Sequence, residues 1–196
     1  MKRLFDIVFS LIGLIILFPL MIVIALSIKL FSNTPILFIQ ERIGVNETKF
    51  YLYKFCTMNQ KKNNNTPAHL TIVDNPRITS IGKILRKWKL DETPSLFNVL
   101  IGDMSFVGPR PWVKYYIDRL SKDEKLFLKI KPGITSPATL KYANEEYLLL
   151  DKPNPEEFHD IYILPDKVRL NLLYLNEHNL LKDITIIFKT IFRQNY

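Results

Sequence analysis

The chain has 196 residues, of which 47% are hydrophobic and 23% are charged. This content supports one globular domain with a hydrophobic core and an appended segment, and it excludes a disordered tail. Lys and Arg outnumber Asp and Glu by 27 to 19, which favours an anionic partner such as nucleic acid, a phospholipid surface or a phosphorylated substrate.

The first predicted element is an apolar segment, residues 7–28, which carries no charge over 22 residues. As a helix it would be about 33 Å long, enough to cross a hydrocarbon core of about 30 Å. Pro19 near its middle removes a backbone hydrogen bond, which predicts a kink. Lys2 and Arg3 before the segment, and the basic chain after it, both favour the cytoplasmic face. A helix that enters, bends and returns fits these residues, and so does a single-pass helix with a tolerated proline.

The chain after this anchor, which we place at residues 1–32, is expected to form one mixed domain over residues 33–196. Two short segments rich in β-branched and aromatic residues, 35–40 and 50–55, predict a pair of strands. The polar run at residues 61–68 predicts a solvated loop.

Residues 80–90 predict a basic amphipathic helix, because apolar side chains recur there at helical spacing. The apolar positions are Ile81, Ile84, Leu85 and Trp88, and the basic ones are Lys83, Arg86 and Lys87. Such a helix either lies at a headgroup surface or packs on the core with a solvated basic face. The upstream anchor favours the surface.

A second, short helix is predicted next, with Asp91 and Glu92 in its first turn and its end at Gly102. The helix dipole and the free backbone donors at this end would keep both carboxylates ionised at neutral pH. On a purely structural interpretation, Asp91 or Thr93 caps the helix and Glu92 balances the dipole.

The residues around this acidic pair point instead to an anionic ligand. Arg86 and Lys87 precede the pair, and the turn Pro109-Arg110-Pro111 follows it. An arginine between two prolines has a restrained backbone, so less entropy is lost when the guanidinium holds a phosphate.

The last third of the chain predicts helices at 166–175 and 180–192. An apolar stripe on the second helix either packs in the core or lies at the lipid surface. Its residues are Leu180, Ile184, Ile187, Phe188 and Ile191. Three separated histidines and a single cysteine support neither a zinc site, a catalytic triad nor a disulfide. The expected fold class is mixed α/β, mainly helical: a compact membrane-associated domain with amphipathic interfacial helices.

Five stretches occur in a characteristic order: the apolar anchor, QERIG, YKFCTM, LDETPSLFNVLIGDMSFVGPRP and KPGIT. In order and spacing they resemble the bacterial sugar transferases, small monotopic phosphoglycosyl transferases. The resemblance implies transfer of a sugar-1-phosphate from a nucleotide sugar, by family expectation a UDP sugar, to polyprenyl (undecaprenyl) phosphate with release of UMP. This is the first membrane step of glycan biosynthesis. It also implies a re-entrant anchor helix broken at Pro19, on the cytoplasmic face of the bacterial inner membrane.

The resemblance also assigns the site. It implies that Asp91 is the nucleophile, that Glu92 is its catalytic partner, and that Mg²⁺ binds at this pair. An acyl phosphate on a carboxylate divides one difficult transfer into two easier ones, and Mg²⁺ with nearby cations would offset the repulsion between anions. The positions that match family phosphate- or nucleotide-binding sites are Arg86, Arg110, Lys54, Arg42 and Thr57. Except for Arg110, each of them fits a surface role equally well.

The chain departs from the family pattern at two places of interest. Phe18 precedes Pro19 where a small or hydroxylated residue is frequent, and the segment after KPGIT reads SPATLKYANEEYLLL. The resemblance implies that this segment borders the sugar, so we expect a donor other than the commonest one.

Two other functions compete with the transferase. A non-catalytic membrane-surface module that binds anionic lipids would use the same charge and anchor. A nucleic-acid binder would explain the charge but not the anchor, and the chain lacks the aromatic pattern of a single-strand platform. We therefore expect a nucleotide sugar, polyprenyl phosphate and membrane lipid as partners, and no nucleic acid. The residues indicate neither the sugar nor the oligomeric state.

Overall fold

The computed structural model describes residues 1–59 and 75–192, so the predicted loop at 61–68 lies outside the described residues. The helices are Lys2–Phe31 (α1), Ser80–Trp88 (α2), Ser95–Ile101 (α3), Lys114–Ile117 (α4), Pro137–Lys141 (α5), Glu145–Leu148 (α6), Pro155–Phe158 (α7), Leu164–Glu177 (α8) and Leu180–Ile191 (α9). The strands are Leu37–Ile43 (β1), Lys49–Phe55 (β2), Ser105–Val107 (β3) and Gly133–Thr135 (β4). The predicted mixed, mainly helical fold is confirmed.

The predicted apolar anchor forms helix α1, which continues from Lys2 to Phe31 with Pro19 inside it. The predicted break of the helix at Pro19 is therefore not confirmed. The helix is long and apolar enough to cross a membrane, with a mean hydropathy of 3.1 over its most apolar window. Only 11% of that window is buried, whereas the core helix of a soluble protein would be mostly buried. This exposure supports an association of α1 with a membrane.

The first turns of α1 are fixed to the rest of the protein by charged side chains. Lys2 forms an ion pair with Asp183 of α9 and donates a hydrogen bond to Val107 O at 2.9 Å. Arg3 donates to two carbonyl oxygens in the last turns of α3, at 2.6 and 2.7 Å. Asp6 is buried and accepts hydrogen bonds from two residues of β3, Ser105 and Phe106. Buried charges need such partners, so these contacts define where the helix starts.

The second half of α1 packs on the same domain. Ile24 and Ile28 are buried against Phe55 of β2 and Leu85 of α2. Burial of such aliphatic side chains contributes about 1.5–3 kcal/mol each. Both ends of α1 are thus held by one domain.

The two predicted strands form the antiparallel pair β1–β2, with Leu37 opposite Phe55 and Ile43 opposite Lys49. Each strand is longer than predicted. Asn98 of α3 is fully buried and connects the hairpin to the helix. Its side-chain amide accepts a hydrogen bond from Tyr53 N at 3.1 Å and donates one to Tyr51 O at 2.7 Å. The hairpin therefore carries α3 on one side.

Helix α2 ends two residues before the predicted end, and the acidic pair does not lie on α3. Thr79 caps the start of α2, and Lys89 ends it in the left-handed conformation with φ of 56°. A 3₁₀ turn, Leu90–Glu92, follows, and α3 begins only at Ser95. The prediction that Asp91 and Glu92 occupy the first turn of α3 is therefore wrong, and neither Asp91 nor Thr93 caps that helix.

Strands β3 and β4 form a short parallel pair that joins two of the sequence motifs. Ser105 lies opposite Gly133, and Val107 lies opposite Thr135. The backbones of Gly108 and Gly133 are in close contact. The space there is so small that a Cβ built on Gly108 would lie 2.1 Å from the Lys131 carbonyl oxygen. This contact sets the path of the chain immediately before Pro109-Arg110-Pro111.

We expect Gly108→Ala to destabilise the fold by about 3 kcal/mol or more, because the added methyl would overlap backbone atoms that side-chain rotation cannot move. The matched control is Gly13→Ala in α1, where the methyl would meet only a flexible leucine side chain at 3.3 Å. Thermal unfolding of the two variants in one detergent tests this difference. Equal melting temperatures for the two would contradict it.

Apolar side chains on α2, α3 and the C-terminal helix α9 are exposed. On α2 and α3 they are Ile84, Trp88, Phe97 and Ile101, and on and beside α9 they are Leu181, Phe188, Ile191 and Phe192. Leu85 of α2 and Ile186 of α9 are buried in the core, and Ile81 and Ile187 pack against the same clusters. Phe188 and Ile191 of the predicted stripe on α9 are therefore exposed and do not pack in the core.

Candidate active site

The acidic pair is held in its 3₁₀ turn by hydrogen bonds from neighbouring hydroxyl groups. Thr93 Oγ1 donates to Leu90 O at 2.8 Å, and Ser95 Oγ donates to Glu92 O at 2.6 Å. The turn contacts β2 and α2. The two carboxylates are thereby placed next to basic side chains from β2 and from the turn after β3.

Asp91 is half-buried, and one of its carboxylate oxygens, Oδ1, is a buried acceptor without a hydrogen-bond partner in the part of the chain that the structure describes. Burial raises the pKa of Asp91, and the negative charge of Glu92 raises it further, while Lys54, Arg86 and Lys89 oppose this shift. The helix dipole, on which the sequence argument relied, therefore does not determine the pKa of Asp91. A buried acceptor without a partner costs about 1–3 kcal/mol, which indicates a position prepared for a cation or an electrophile.

Glu92 is bound by two cations. Lys54 Nζ lies 2.7 Å from Glu92 Oε1, Arg110 forms an ion pair with the same oxygen, and Arg110 also donates to Oε2 at 3.4 Å. Burial alone would raise the pKa of Glu92, but Arg110 and Lys54 outweigh burial and hold it well below its usual range. Glu92 is therefore an anion that fixes the two cations in place.

Arg42 adds a third cation to this cluster. It donates to Pro111 O at 3.2 Å and to Gln40 Oε1 at 2.5 Å, and its Nε is buried without a partner among the described residues. Burial and the nearby Arg110 lower the pKa of Arg42 to about 10, so it stays charged at neutral pH. Arg42, Lys54, Glu92 and Arg110 line one cleft.

Arg86 and Thr57 form a second contact beside the acidic pair. Arg86 Nε donates to Thr57 Oγ1 at 3.1 Å, and its NH1 lies 3.3 Å from Glu146 Oε1. Arg86 also acts electrostatically on Asp91. The fold therefore brings the predicted residues into two adjacent groups, one around Glu92 and one around Arg86.

Sequence analysis missed the carboxylates of α6. Glu146 reaches Arg86, and Glu145 accepts from half-buried Lys167 of α8 at 2.5 Å. Glu145 also contributes to the electrostatics of Arg110. The only available signal was that SPATLKYANEEYLLL departs from the family pattern, and it did not single out either residue.

The cluster has an excess of positive charge, because its three cations outnumber the two carboxylates, Glu92 and Asp91, that act on them. Cations held together in a partly buried site gain from an added anion. Arginine binds phosphate through two parallel hydrogen bonds. This charge is compatible with phosphate groups, and phosphate binding by these residues stays a prediction.

Asp91 is better suited than Glu92 to hold a magnesium ion. Asp91 offers a free, buried carboxylate oxygen, and Mg²⁺ is commonly held by one or two carboxylates together with substrate phosphate oxygens. Glu92, by contrast, has both oxygens directed at cations. Within the described ranges there is no group of three or more His, Cys, Asp or Glu side chains that could hold a metal by themselves.

The model of the bacterial sugar transferase family matches residues 1–194. The chain is 35% identical to the undecaprenyl-phosphate glucose phosphotransferase of Komagataeibacter xylinus, over 98% of this chain and 35% of that protein. It is also 35% identical to the UDP-glucose:undecaprenyl-phosphate glucose-1-phosphate transferase of Klebsiella pneumoniae, over 98% of this chain and 39% of that protein. The exopolysaccharide production protein ExoY of Sinorhizobium fredii is 29% identical over 97% of this chain and 83% of its own length.

The chain spans little more than a third of the length of the first two relatives. The similarity nevertheless covers almost all of the chain itself, including the anchor helix, the acidic pair and the cation cluster. The resemblance found in the sequence motifs is confirmed, and the chain belongs to the bacterial sugar transferase family.

Proposed function

We propose that this protein transfers a sugar-1-phosphate from a UDP sugar to undecaprenyl phosphate through a covalent intermediate on Asp91, and releases UMP. The observation that carries the proposal is the buried, unpartnered carboxylate oxygen of Asp91 beside clustered cations. The similarity to relatives that are named as undecaprenyl-phosphate sugar transferases supports the class of acceptor.

In the first step the carboxylate of Asp91 attacks the phosphorus that bears the sugar. A bond forms between the carboxylate oxygen and phosphorus, and the bond from phosphorus to the oxygen of UMP breaks, so that UMP leaves with the electron pair. The product is an acyl phosphate, which is readily cleaved again. The partial burial of Asp91 would limit the access of water to the nucleophile and to the intermediate.

In the second step a phosphate oxygen of undecaprenyl phosphate attacks the same phosphorus. The bond between Asp91 and phosphorus breaks, the carboxylate is regenerated, and undecaprenyl diphosphate sugar is formed. The two steps use one nucleophile in turn on a donor and an acceptor, so ping-pong kinetics are expected.

The cations make the approach of two anions feasible. Arg110, Lys54 and Arg42 would bind the diphosphate oxygens and neutralise the charge on the departing UMP. Arg86, held by Thr57, lies close enough to Asp91 to stabilise its charged form. Mg²⁺, when bound at Asp91, would supply further charge neutralisation to the substrate phosphates. Glu92 keeps Lys54 and Arg110 in position for this role.

The membrane arrangement that we propose is monotopic, on the cytoplasmic face of the inner membrane, with α1 as a re-entrant helix. Both ends of α1 contact one domain: Lys2 reaches α9, and Ile28 packs with Leu85 of α2. A helix that crossed the bilayer would separate its ends by about 30 Å of hydrocarbon. The exposed apolar side chains of α2, α3 and α9 would then lie at the interface.

The proposal is tested with purified full-length protein in detergent, Mg²⁺, undecaprenyl phosphate and a panel of nucleotide sugars. We expect release of a nucleoside monophosphate from at least one UDP sugar, with a matching lipid-linked product that depends on the acceptor. Release of UDP, or transfer of the sugar without its phosphate, would contradict the proposed chemistry. The same panel identifies the sugar.

A further inference from the structure

Helix α6 brings two successive carboxylates to the edge of the active site, and the proposed reaction gives neither of them a role. Glu146 Oε1 lies 3.3 Å from NH1 of Arg86, whereas Glu145 is paired with Lys167 of α8. Arg86 belongs to α2, the basic helix that precedes the nucleophile. The ion pair of Glu146 therefore joins the C-terminal part of the chain to a cation of the active site.

The guanidinium of Arg86 is held on two sides. Its Nε donates to Thr57 Oγ1 at 3.1 Å, and its NH1 donates to Glu146. A third contact, from NH2 to Met58 Sδ at 3.3 Å, is with a weak acceptor. Among the described residues, Glu146 is the carboxylate that forms an ion pair with Arg86. Without it the arginine would regain much of its rotamer freedom, because the hydrogen bond to Thr57 holds only one edge of the guanidinium.

The direction of the Arg86 side chain matters to the nucleophile. Burial and the charge of Glu92 raise the pKa of Asp91, and the positive charge of Arg86 opposes this shift. A Coulomb interaction weakens with distance, so the effect depends on where the guanidinium is held. If Arg86 turned towards solvent, a smaller fraction of Asp91 would be in the charged form that attacks phosphorus.

Helix α6 is itself fixed to its surroundings through Glu145. Glu145 Oε2 accepts from Lys167 at 2.5 Å, and its Oε1 lies 3.4 Å from Nε2 of buried His159. The helix has only four residues, too few to be stable in isolation, so contacts of this kind determine where it lies. Leu149, immediately after the helix, is buried. Ion pairs therefore run in series from α8 through α6 to α2.

The contact between Glu146 and Arg86 orients the arginine more than it stabilises the fold. The side chain of Glu146 is 42% exposed, and the separation of 3.3 Å is longer than the 2.7–2.9 Å that is typical, at roughly this precision, of a strong charged hydrogen bond. Exposed ion pairs of this kind contribute little to stability. The rate of a reaction is far more sensitive than stability to the position of a charge beside the nucleophile.

We infer that Glu146 is a positioning residue for the transfer reaction, and that it holds Arg86 beside Asp91 from a helix that Lys167 fixes in place. This role rests on the proposed function, in which Asp91 is the nucleophile. Glu146 touches no reacting atom and acts only through Arg86. The segment that follows KPGIT thereby contributes to the first chemical step.

The test is the rate of UMP release in a single turnover, with purified full-length protein and the donor that the nucleotide-sugar panel identifies, without acceptor. We expect Glu146→Ala to lower the maximal rate about tenfold. The half-saturating donor concentration should change less than about twofold, because the three cations of the cleft would bind the diphosphate. Glu146→Gln keeps an acceptor oxygen and should recover most of the rate.

The matched control is Glu177→Ala. Glu177 forms an ion pair with Lys182, and its side chain is 59% exposed, so the substitution removes a similar pair outside the active site. Both the maximal rate and the half-saturating donor concentration should stay within about twofold of those of the unmodified protein. The melting temperatures of Glu146→Ala and Glu177→Ala should agree closely.

A double-mutant cycle shows whether Glu146 acts through Arg86. Arg86→Gln alone should slow UMP release about tenfold or more, and adding Glu146→Ala to it should cause no further loss, because the side chain that Glu146 holds is gone. An unchanged maximal rate in Glu146→Ala would overturn the positioning role, and so would a further tenfold loss in the Arg86→Gln background.

Asp91→Asn, measured beside these variants, separates this inference from the proposed function. If Asp91→Asn still turns over, the proposed function fails, and the role of Glu146 fails with it. If Asp91→Asn is inactive while Glu146→Ala is as fast as the unmodified protein, only the role of Glu146 is overturned.

Discussion

Asp91→Asn is expected to lower the transfer rate by at least about 10³-fold, because an amide of the same shape cannot form the acyl phosphate. Membrane association should persist, since α1 and the exposed apolar side chains of α2 are unchanged. The measurements are UMP release and the fraction of protein in the membrane pellet. The matched control is Asp118→Asn, which removes an exposed carboxylate paired with Lys114 and should leave the rate within about twofold.

This variant also separates the transferase from the competing function. A non-catalytic module that binds anionic lipids has no need of a carboxylate at residue 91, so Asp91→Asn would leave its behaviour intact. Near-normal turnover in Asp91→Asn would rule out Asp91 as the nucleophile. Loss of turnover together with loss of membrane association would instead indicate a folding defect, which circular dichroism of the variant would reveal.

Glu92→Gln is expected to lower both stability and activity. The substitution leaves Lys54 and Arg110 without their carboxylate in a partly buried site, and breaking such a pair costs about 3–5 kcal/mol when it is fully buried. Because Arg110 is 44% exposed, we expect about 2 kcal/mol of lost stability. Displacement of the two cations should lower the transfer rate by about 10²-fold.

The control for Glu92→Gln makes the same chemical change at an exposed pair. Glu47 lies 3.3 Å from Lys125, and its side chain is 54% exposed, so Glu47→Gln should cost less than about 0.5 kcal/mol. Chemical unfolding and UMP release are measured for both variants. If Glu92→Gln is as stable and as active as Glu47→Gln, Glu92 does not organise the cation cluster.

The sequence was most informative where a local pattern determines the structure. The β-branched and aromatic residues at 35–40 and 50–55 predicted the β1–β2 pair, and helical spacing predicted α2, α8 and α9. Strands β3 and β4 were not predicted, because each has three residues and such a segment is too short to show a period of two. Their pairing depends on the contact between Gly108 and Gly133, which no local pattern indicates.

The position of the acidic pair shows a different limit. The pattern placed Asp91 and Glu92 in the first turn of a helix, whereas Lys89 adopts the left-handed conformation and starts a separate 3₁₀ turn. A non-glycine residue in that conformation is uncommon, so sequence reasoning gives it little weight. The motif therefore gave the wrong electrostatic environment for Asp91, and the catalytic roles of Asp91 and Glu92 stay predictions.

Contacts between distant residues could not be derived from single segments. Arg86 and Glu146 are 60 positions apart, and Lys2 and Asp183 are 181 apart. Both pairs depend on where the C-terminal helices pack, and several partners would satisfy each charge equally well. The resemblance to a family supplied the grouping of Lys54, Arg86 and Arg110, and the structure supplied their partners.

The most direct test of covalent catalysis is intact-mass analysis of the protein incubated with the donor that the nucleotide-sugar panel identifies, without acceptor. We expect a mass increase of one sugar phosphate that maps to Asp91 and disappears when undecaprenyl phosphate is added. Turnover without any such adduct under rapid acid quench, or an adduct on a residue other than Asp91, would contradict the account.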